Sequence, residues 1–431
     1  MDERSARSAD PTRSRLDGTR PSERAAYTAC FFGVIIYPRH QSLTMMNLFS
    51  PEMRREPFPI YDQMRKAAPV FRAPPPFDMW MVFDYEGVKQ VISEPEAFSS
   101  RVPAPDNWFV FFDPPQHTKL RALISRAFTP KSITNLEPHI RQLSRELLDA
   151  LAGRRDFDLA ADYSVPLPMK VIAGMIGIPA ADWARFRRWS DAILKLSYTM
   201  RGMEHDAEAA TALTGFREVT AEMNNYLSDM IAQRRAKPMD DLLTRLIEAE
   251  VDGERLSQHE ILGFFQLLVV AGQDTTSSLI TNTVLCLFDN PDQFARLKRQ
   301  PELLVSAIEE TLRYRSPFQW LMRTPKAPIE LHGHTLKPGE LILAMVGSAN
   351  RDPKQFPDAD RFDIGRNPNP HIAFGHGIHS CLGAALSRLE AKIALGDILE
   401  RFPNLKRASD EPWPPRNALH VHGPASLPVR C

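Results

Sequence analysis

Apolar residues along most of the chain recur at helical spacing and alternate only briefly. Over residues 136–151, 179–196 and 216–235 they return every three to four positions, which predicts one-sided helices. WMVFDY, residues 80–85, alternates instead and predicts a strand, followed by a helical VKQVI run. Between 317 and 346 proline-bounded, β-branched runs return, and LHGHTLKPGELILAMV predicts short strands around a turn. No repeat or low-complexity linker interrupts this region. The pattern predicts a mainly α protein with smaller β-sheets (α+β), one domain over residues 45–431.

The longest periodic stretch, residues 257–291, opens with Ser257 and Glu260 at capping-box spacing and closes before Pro291. A helix of that length spans roughly 45–50 Å, and since it is apolar on most faces it is expected to run through the core. Its middle, AGQDTTSS, breaks the pattern. Gly272 is a poor helix former, and Asp274, Thr275, Thr276, Ser277 and Ser278 compete for backbone hydrogen bonds. Two readings stand: a bent helix whose hydroxyls bond back to carbonyls, or a proton-delivery site facing a cavity or water.

Residues 1–44 are rich in Arg, Ser and Asp and are expected to be a disordered extension. Their one apolar run, ACFFGVIIY at 29–37, is far short of the roughly 20 residues of a spanning helix. With acids ahead of it and no small-x-small site after it, neither a signal peptide nor a transmembrane anchor is expected. The chain of 431 residues carries 53 basic and 53 acidic side chains, a balance that gives no reason to expect nucleic acid or an anionic membrane as partner. Its four cysteines, Cys30, Cys286, Cys381 and Cys431, form no CxxC pair, so a reducing, cytoplasmic compartment is expected.

The stretch HIAFGHGIHSCLG holds one of these cysteines and admits three readings. Cys381 can be a buried thiol in a turn. His371, His376, His379 and Cys381 can hold zinc, although they lack a paired CxxC or HxxxH frame and a zinc knuckle does not require so many glycines. Or Cys381 can be a haem thiolate. Gly375, Gly377 and Gly383 let the backbone turn sharply and approach a flat ligand, and Phe374 covers one edge. Leu382, Leu386, Leu389 and Ile393 follow at helical spacing, placing the sulfur at a helix N-terminus where dipole and N–H groups favour the anion.

F-G-x-G-x-H-x-C-x-G resembles the haem signature of the cytochrome P-450 monooxygenases at every fixed position, residues 374–383. Other motifs follow in that family's order. AGQDTT resembles the central-helix motif, with Asp274 and Thr275 as its acid–alcohol pair. EETLRY resembles E-x-x-R through Glu310 and Arg313, and FPDADRF resembles the segment whose arginine, here Arg361, completes their buried network, with Asp360 where many relatives carry Glu. DPPQHTKLR resembles the helix whose His117 and Arg121 hold haem propionates, and Arg323 and His379 match two further propionate contacts. The resemblance runs from about residue 46 to 429 and is nearest to the soluble bacterial members, including NPNPH ahead of the signature.

The resemblance implies a mostly helical, triangular fold with haem b between the central helix and the cysteine helix. It also implies insertion of one oxygen atom from O2 into a C–H or double bond, with Thr275 holding water at the oxygen site and Asp274 relaying protons. No flavin or nucleotide motif is present, so NAD(P)H-derived electrons are expected from a ferredoxin and its reductase, docking on cations such as Lys119, Arg126 and Arg388. The substrate pocket is expected from Trp108, Phe109, Phe111, Phe112, Phe265, Leu268, Val269, Val270 and Ala271, with Phe318 and Leu419. These suit a lipophilic molecule, a fatty acid, terpenoid, steroid or polyketide of secondary metabolism, although half of them could equally be core. Arg201 and His205 could bind a carboxylate. A monomer is expected. The alternatives are a peroxide-driven or oxidative-coupling enzyme and a haem-thiolate sensor.

Overall fold

The computed structural model describes residues 34–35, 46–47, 50–75, 77–102, 105–199 and 207–431. Most of the expected extension, as well as Arg201 and His205, lies outside the described residues. The chain divides into two units, residues 1–53 and 54–431. In the first, Val34–Ile35 pairs antiparallel with Met46–Asn47.

In the second unit the central helix is Gln258–Asp289, 32 residues long and unbroken. It begins as its spacing predicts: Ser257 N–H donates to Glu260 Oε2 at 2.7 Å and Glu260 N–H to Ser257 Oγ at 3.3 Å. Helices Pro166–Ile176, Leu304–Tyr314 and Ala384–Arg401 pack around it. Gly272 is explained by that packing, because a Cβ there would stand 2.7 Å from Ile172 Cδ1. The glycine lets two helices close on each other.

A five-stranded sheet lies in the order Val70–Arg72, Trp80–Val82, Ile342–Ala344, Leu321–Pro325, Phe98–Ser99. Ile342–Ala344 runs parallel to Trp80–Val82 and the other pairs are antiparallel. The strand expected within 80–85 is therefore present, and the helix after it, Tyr85–Ser93, is capped by the Asp84 side chain. The turn expected within 317–346 joins Ile329–Leu331 to His334–Leu336 through His332 and Gly333. Both turn residues have positive φ, 49° and 77°, as a two-residue hairpin requires.

The E-x-x-R pair ties this frame to the segment before Cys381. Arg313 donates from Nε and Nη2 to the two Glu310 oxygens, each at 2.8 Å. Its remaining donors reach the carbonyls of Asn350, Ala359 and Arg361 at 3.1, 2.7 and 3.1 Å. Glu310 in turn accepts from Asp363 N–H at 3.0 Å, Arg366 Nε at 3.2 Å and Asn369 Nδ2 at 3.3 Å. Here the expectation for Arg361 needs correcting. Its side chain is exposed and only its carbonyl joins the network; the second guanidinium on Glu310 belongs to Arg366. Arg361 follows Asp358, which turns the chain at φ 50°, and its side chain is left facing water.

Candidate active site

Gly375 and Gly377 take φ of 71° and 72° and turn the signature loop back on itself. A Cβ on Gly377 would also meet Ser93 Cα at 3.1 Å. Cys381 N–H closes the loop by donating to Phe374 O at 2.8 Å. Gly383 has an ordinary φ of −81°; a Cβ there would stand 3.9 Å from Cys381 Sγ, so its service is room beside the sulfur. The helix Ala384–Arg401 starts just beyond.

Cys381 is exposed to solvent although protein surrounds it closely. That enclosure raises its pKa; the Gly383 N–H, the Arg121 and Arg388 guanidiniums and the Ala384 N–H oppose it. In the central helix Ala271 is exposed and Val270 and Thr275 are half-buried, although their neighbours are core. An exposed alanine within a core helix marks a wall of an internal cavity.

Thr275 Oγ1 donates to Ala271 O at 2.5 Å, and Ser277, Thr281 and Thr283 likewise bond back to carbonyls. The back-bonding reading of AGQDTTSS is thus met without a break in the helix. Asp274 is 3% exposed and accepts from Arg416 Nη1 at 3.1 Å, while Arg416 Nη2 donates to Ser277 Oγ at 2.8 Å. Arg416 was not legible as a site residue. Its one signal is a cation in the C-terminal run PPRNALHVHG, which is otherwise nearly free of charge.

Four basic side chains gather beside the signature loop. The His117 and His379 rings lie 3.9 Å apart. Both His117 ring nitrogens are buried with no hydrogen-bond partner, while His379 Nε2 meets Ser100 Oγ at 2.9 Å. Arg121 Nη2 donates to Ser380 O at 2.7 Å and Arg323 Nη1 to Met322 O at 2.7 Å. Burial, then Arg121 and Arg323, lower the His117 pKa to about 4. Burial, then Arg323 and His117, lower that of His379 to about 3. Such a cluster is short of anions, and its donors fit a buried ligand with carboxylates. The zinc arrangement finds no support: His371 is held by Glu309, His379 by Ser100, and no group of three or more metal-binding side chains occurs among the described residues.

The cytochrome P450 family model matches residues 204–425. Cytochrome P450 107B1 of Saccharopolyspora erythraea is 41% identical over 82% of this chain and 89% of its own. The chain belongs to the cytochrome P450 family. Mycinamicin IV hydroxylase/epoxidase of Micromonospora griseorubida is 36% identical, covering 86% of this chain and 94% of its own. The crystal structure of CYP109E1 from Bacillus megaterium in complex with testosterone superimposes with a TM-score of 0.80 at 39% identity, over 87% of this chain and 99% of that one. The mainly helical fold with small sheets is the P450 fold, and the protein is a monooxygenase, an oxidoreductase that incorporates oxygen. Membership implies a haem cofactor and use of O2, and the basic cluster, the glycine-lined loop and the enclosed Cys381 fit that group.

In this P450 the expected pocket residues divide. Trp108, Val270, Phe318 and Leu419 are half-buried, whereas Phe109 is 4% exposed and stacks on His117 with ring centroids 6.0 Å apart. Phe265 and Val269 are likewise core. Trp108 Nε1 donates to Gln266 Oε1 at 3.1 Å, and Gln266 Nε2 to Asn224 Oδ1 at 3.1 Å. Two of the expected docking cations already hold carboxylates: Lys119 pairs with Glu254 and Arg388 with Glu309. No helix among the described residues is long and apolar enough to cross a membrane.

Proposed function

We propose that this monooxygenase holds haem b through Cys381 and oxidises a lipophilic small molecule of the steroid or polyketide kind, with electrons from a ferredoxin and its reductase. The observation that carries this reading is the basic cluster beside the signature loop. Cys381 is exposed next to it, and Ala271 is exposed on the central helix, which meets the cysteine helix where Thr276 Oγ1 donates to Ser387 Oγ at 3.2 Å. Arg121, Arg323, His117 and His379 would take the two propionates, which supply the missing negative charge. Bound there, a thiolate-ligated haem supplies O2 activation, the sulfur's electron density favouring O–O cleavage.

The chain's own residues then manage protons and water. Thr275 presents its hydroxyl at the cavity wall one turn from Ala271, where it can hold a water. Asp274 is the nearest acid on the helix and is oriented by Arg416, so a proton reaching it arrives at a fixed carboxyl group beside Thr275. General acid delivery of this kind contributes about 10²–10⁴ in rate. Trp108, Phe318, Val270 and Leu419 offer apolar surface with few polar atoms, which favours a lipophilic substrate. The steroid in the CYP109E1 complex and the macrolide in the name of the Micromonospora relative support that class. The low cysteine count supports a reducing compartment, and the exposed Arg126 supports an acidic electron donor.

The test is the carbon monoxide difference spectrum of the dithionite-reduced protein, followed by product analysis with a ferredoxin system and a steroid panel. A red-shifted thiolate Soret band that disappears in Cys381→Ala is expected. A haem spectrum unchanged by that substitution would overturn the assignment.

A further inference from the structure

Adjacent residues on a helix point about 100° apart, and the two glutamates of EETLRY use that difference. Glu310 turns inward to Arg313, while Glu309 turns to the cysteine segment. Glu309 Oε1 accepts from Arg388 Nε at 2.7 Å and Oε2 from Arg388 Nη2 at 2.8 Å, a two-pronged pair. His371 Nε2 lies 3.0 Å from the same Oε2. Ala373 N–H donates to His371 Nδ1 at 3.3 Å, so Nδ1 carries the lone pair and Nε2–H faces the carboxylate. The His371 side chain is 4% exposed, so the clamp is fixed from its inner side. Burial alone would raise the Glu309 pKa, but Arg388 and His371 prevail and hold it at about 2.

The clamp fixes Arg388 beside the segment that carries the sulfur. Its guanidinium carbon stands 4.5 Å over the Phe374 ring, and Phe374 O accepts the Cys381 N–H. Arg388 is one of two guanidiniums whose charge is felt at Cys381. What reaches the sulfur is the difference between that cation and the carboxylate holding it.

We propose that Glu309 is a positioning residue for the Cys381 sulfur: with His371 it locks Arg388 over Phe374 and offsets part of its charge, thereby setting the electron density of the haem ligand. This rests on the reading of Cys381 as haem ligand. Second-shell charge tunes a metal centre because the more reduced state gains most from nearby positive charge. Removing the carboxylate bares Arg388 and favours the reduced haem protein; removing Arg388 favours the oxidised one.

The test is a spectroscopic redox titration of the haem-loaded protein and of Glu309→Gln, Arg388→Gln and the double variant. Glu309→Gln should raise the reduced-to-oxidised ratio at fixed potential about 10-fold, which is 59 mV for one electron. Arg388→Gln should shift it the opposite way, and the double variant, again neutral, should return to within about 2-fold of the parent by charge balance. A structural role alone would lower thermal stability in all three without opposite signs in the titration. Single variants that move together, or not at all, overturn the proposal. Should Glu309→Gln not fold, Arg388→Gln, whose side chain is 41% exposed, still decides the sign. A parent protein without a thiolate Soret band would instead overturn the assignment of Cys381 itself.

Discussion

Two buried clusters of charge support the segment that carries Cys381, and they are built to opposite rules. Around Glu310 every donor of Arg313 has an acceptor, and the carboxylate collects three groups in addition to its arginine. Around His117 the Arg121 and Arg323 guanidiniums meet two imidazoles that burial and those same charges keep neutral at pH 7. Asp113, the carboxylate within reach of both histidines, is spent on Ser99 Oγ at 2.6 Å and Ser100 N–H at 2.8 Å. A saturated cluster has nothing left to bind and holds the frame; one with unmet positive charge is poised for an anion, and the frame carries the cost until it arrives.

The sharpest way to break this contrast is Arg313→Ala. It leaves Glu310 buried with Arg366 as its one remaining charged partner and strips three carbonyls of a donor, so denaturant unfolding should show a loss of about 3–5 kcal/mol; an unchanged midpoint would mean the saturated cluster is not what holds the frame. Glu390, on the cysteine helix, supplies an intermediate case. It is 2% exposed, its Oε2 has no partner, and burial raises its pKa from 4.5 to about 8. Its folded pKa lies above the unfolded one, so its contribution is full below pH 4.5 and is lost as pH rises through 8. Glu390→Gln should therefore stabilise the protein by roughly 2–4 kcal/mol at pH 8.5 and leave it unchanged near pH 4.5. Equal effects at both pH values would show that the carboxyl is not the source.

On the cationic side, Arg323→Ala should leave the haem-free protein as stable as before, since it removes a repulsion. Loss of haem to an excess of an acceptor protein should meanwhile become about 10–100-fold more favourable, the worth of one charged hydrogen bond. Destabilisation of the haem-free form would place Arg323 in the frame instead. The smallest effect is expected from His117→Gln. The His117 pKa falls from 6.5 to about 4 on folding, so its contribution is present above pH 6.5 and lost as pH falls toward 4. In the haem-free protein the drop in stability between pH 7 and 5 should shrink by about 1 kcal/mol in the variant, measured by thermal unfolding at the two pH values.

The two clusters also mark what could be read from the chain. Local signals were legible. The Ser257–Glu260 cap, the strand at Trp80–Val82 and the turn glycines of the signature each depend on residues a few positions apart, and each is where its spacing predicts. The ordered set of motifs extended this to His117, Arg121, Arg323 and His379, which do converge. Partners chosen across the fold were not legible. Arg416 meets Asp274 from 142 positions away, and Arg388 meets Glu309 from 79. Arg366 and Arg361 could not be told apart because both follow the same turn and only the backbone decides which side chain points inward. The stacking of Phe109 on His117 was not legible for a related reason: an aromatic run this short has no period to say which ring packs inward.

The pairing of Asp274 with Arg416 also bears on the order in which a growing chain can become competent. Helix, cysteine loop and basic rim are all encoded before residue 402, yet the acid beside Thr275 waits for a partner that is translated after all of them. The strand Pro428–Arg430, which anchors that last stretch by pairing with Asp156–Asp158, emerges later still. A nascent chain could therefore enclose its cavity before its acid is fixed, and a protein clipped just ahead of Arg416 could keep the cavity and lose control of the proton.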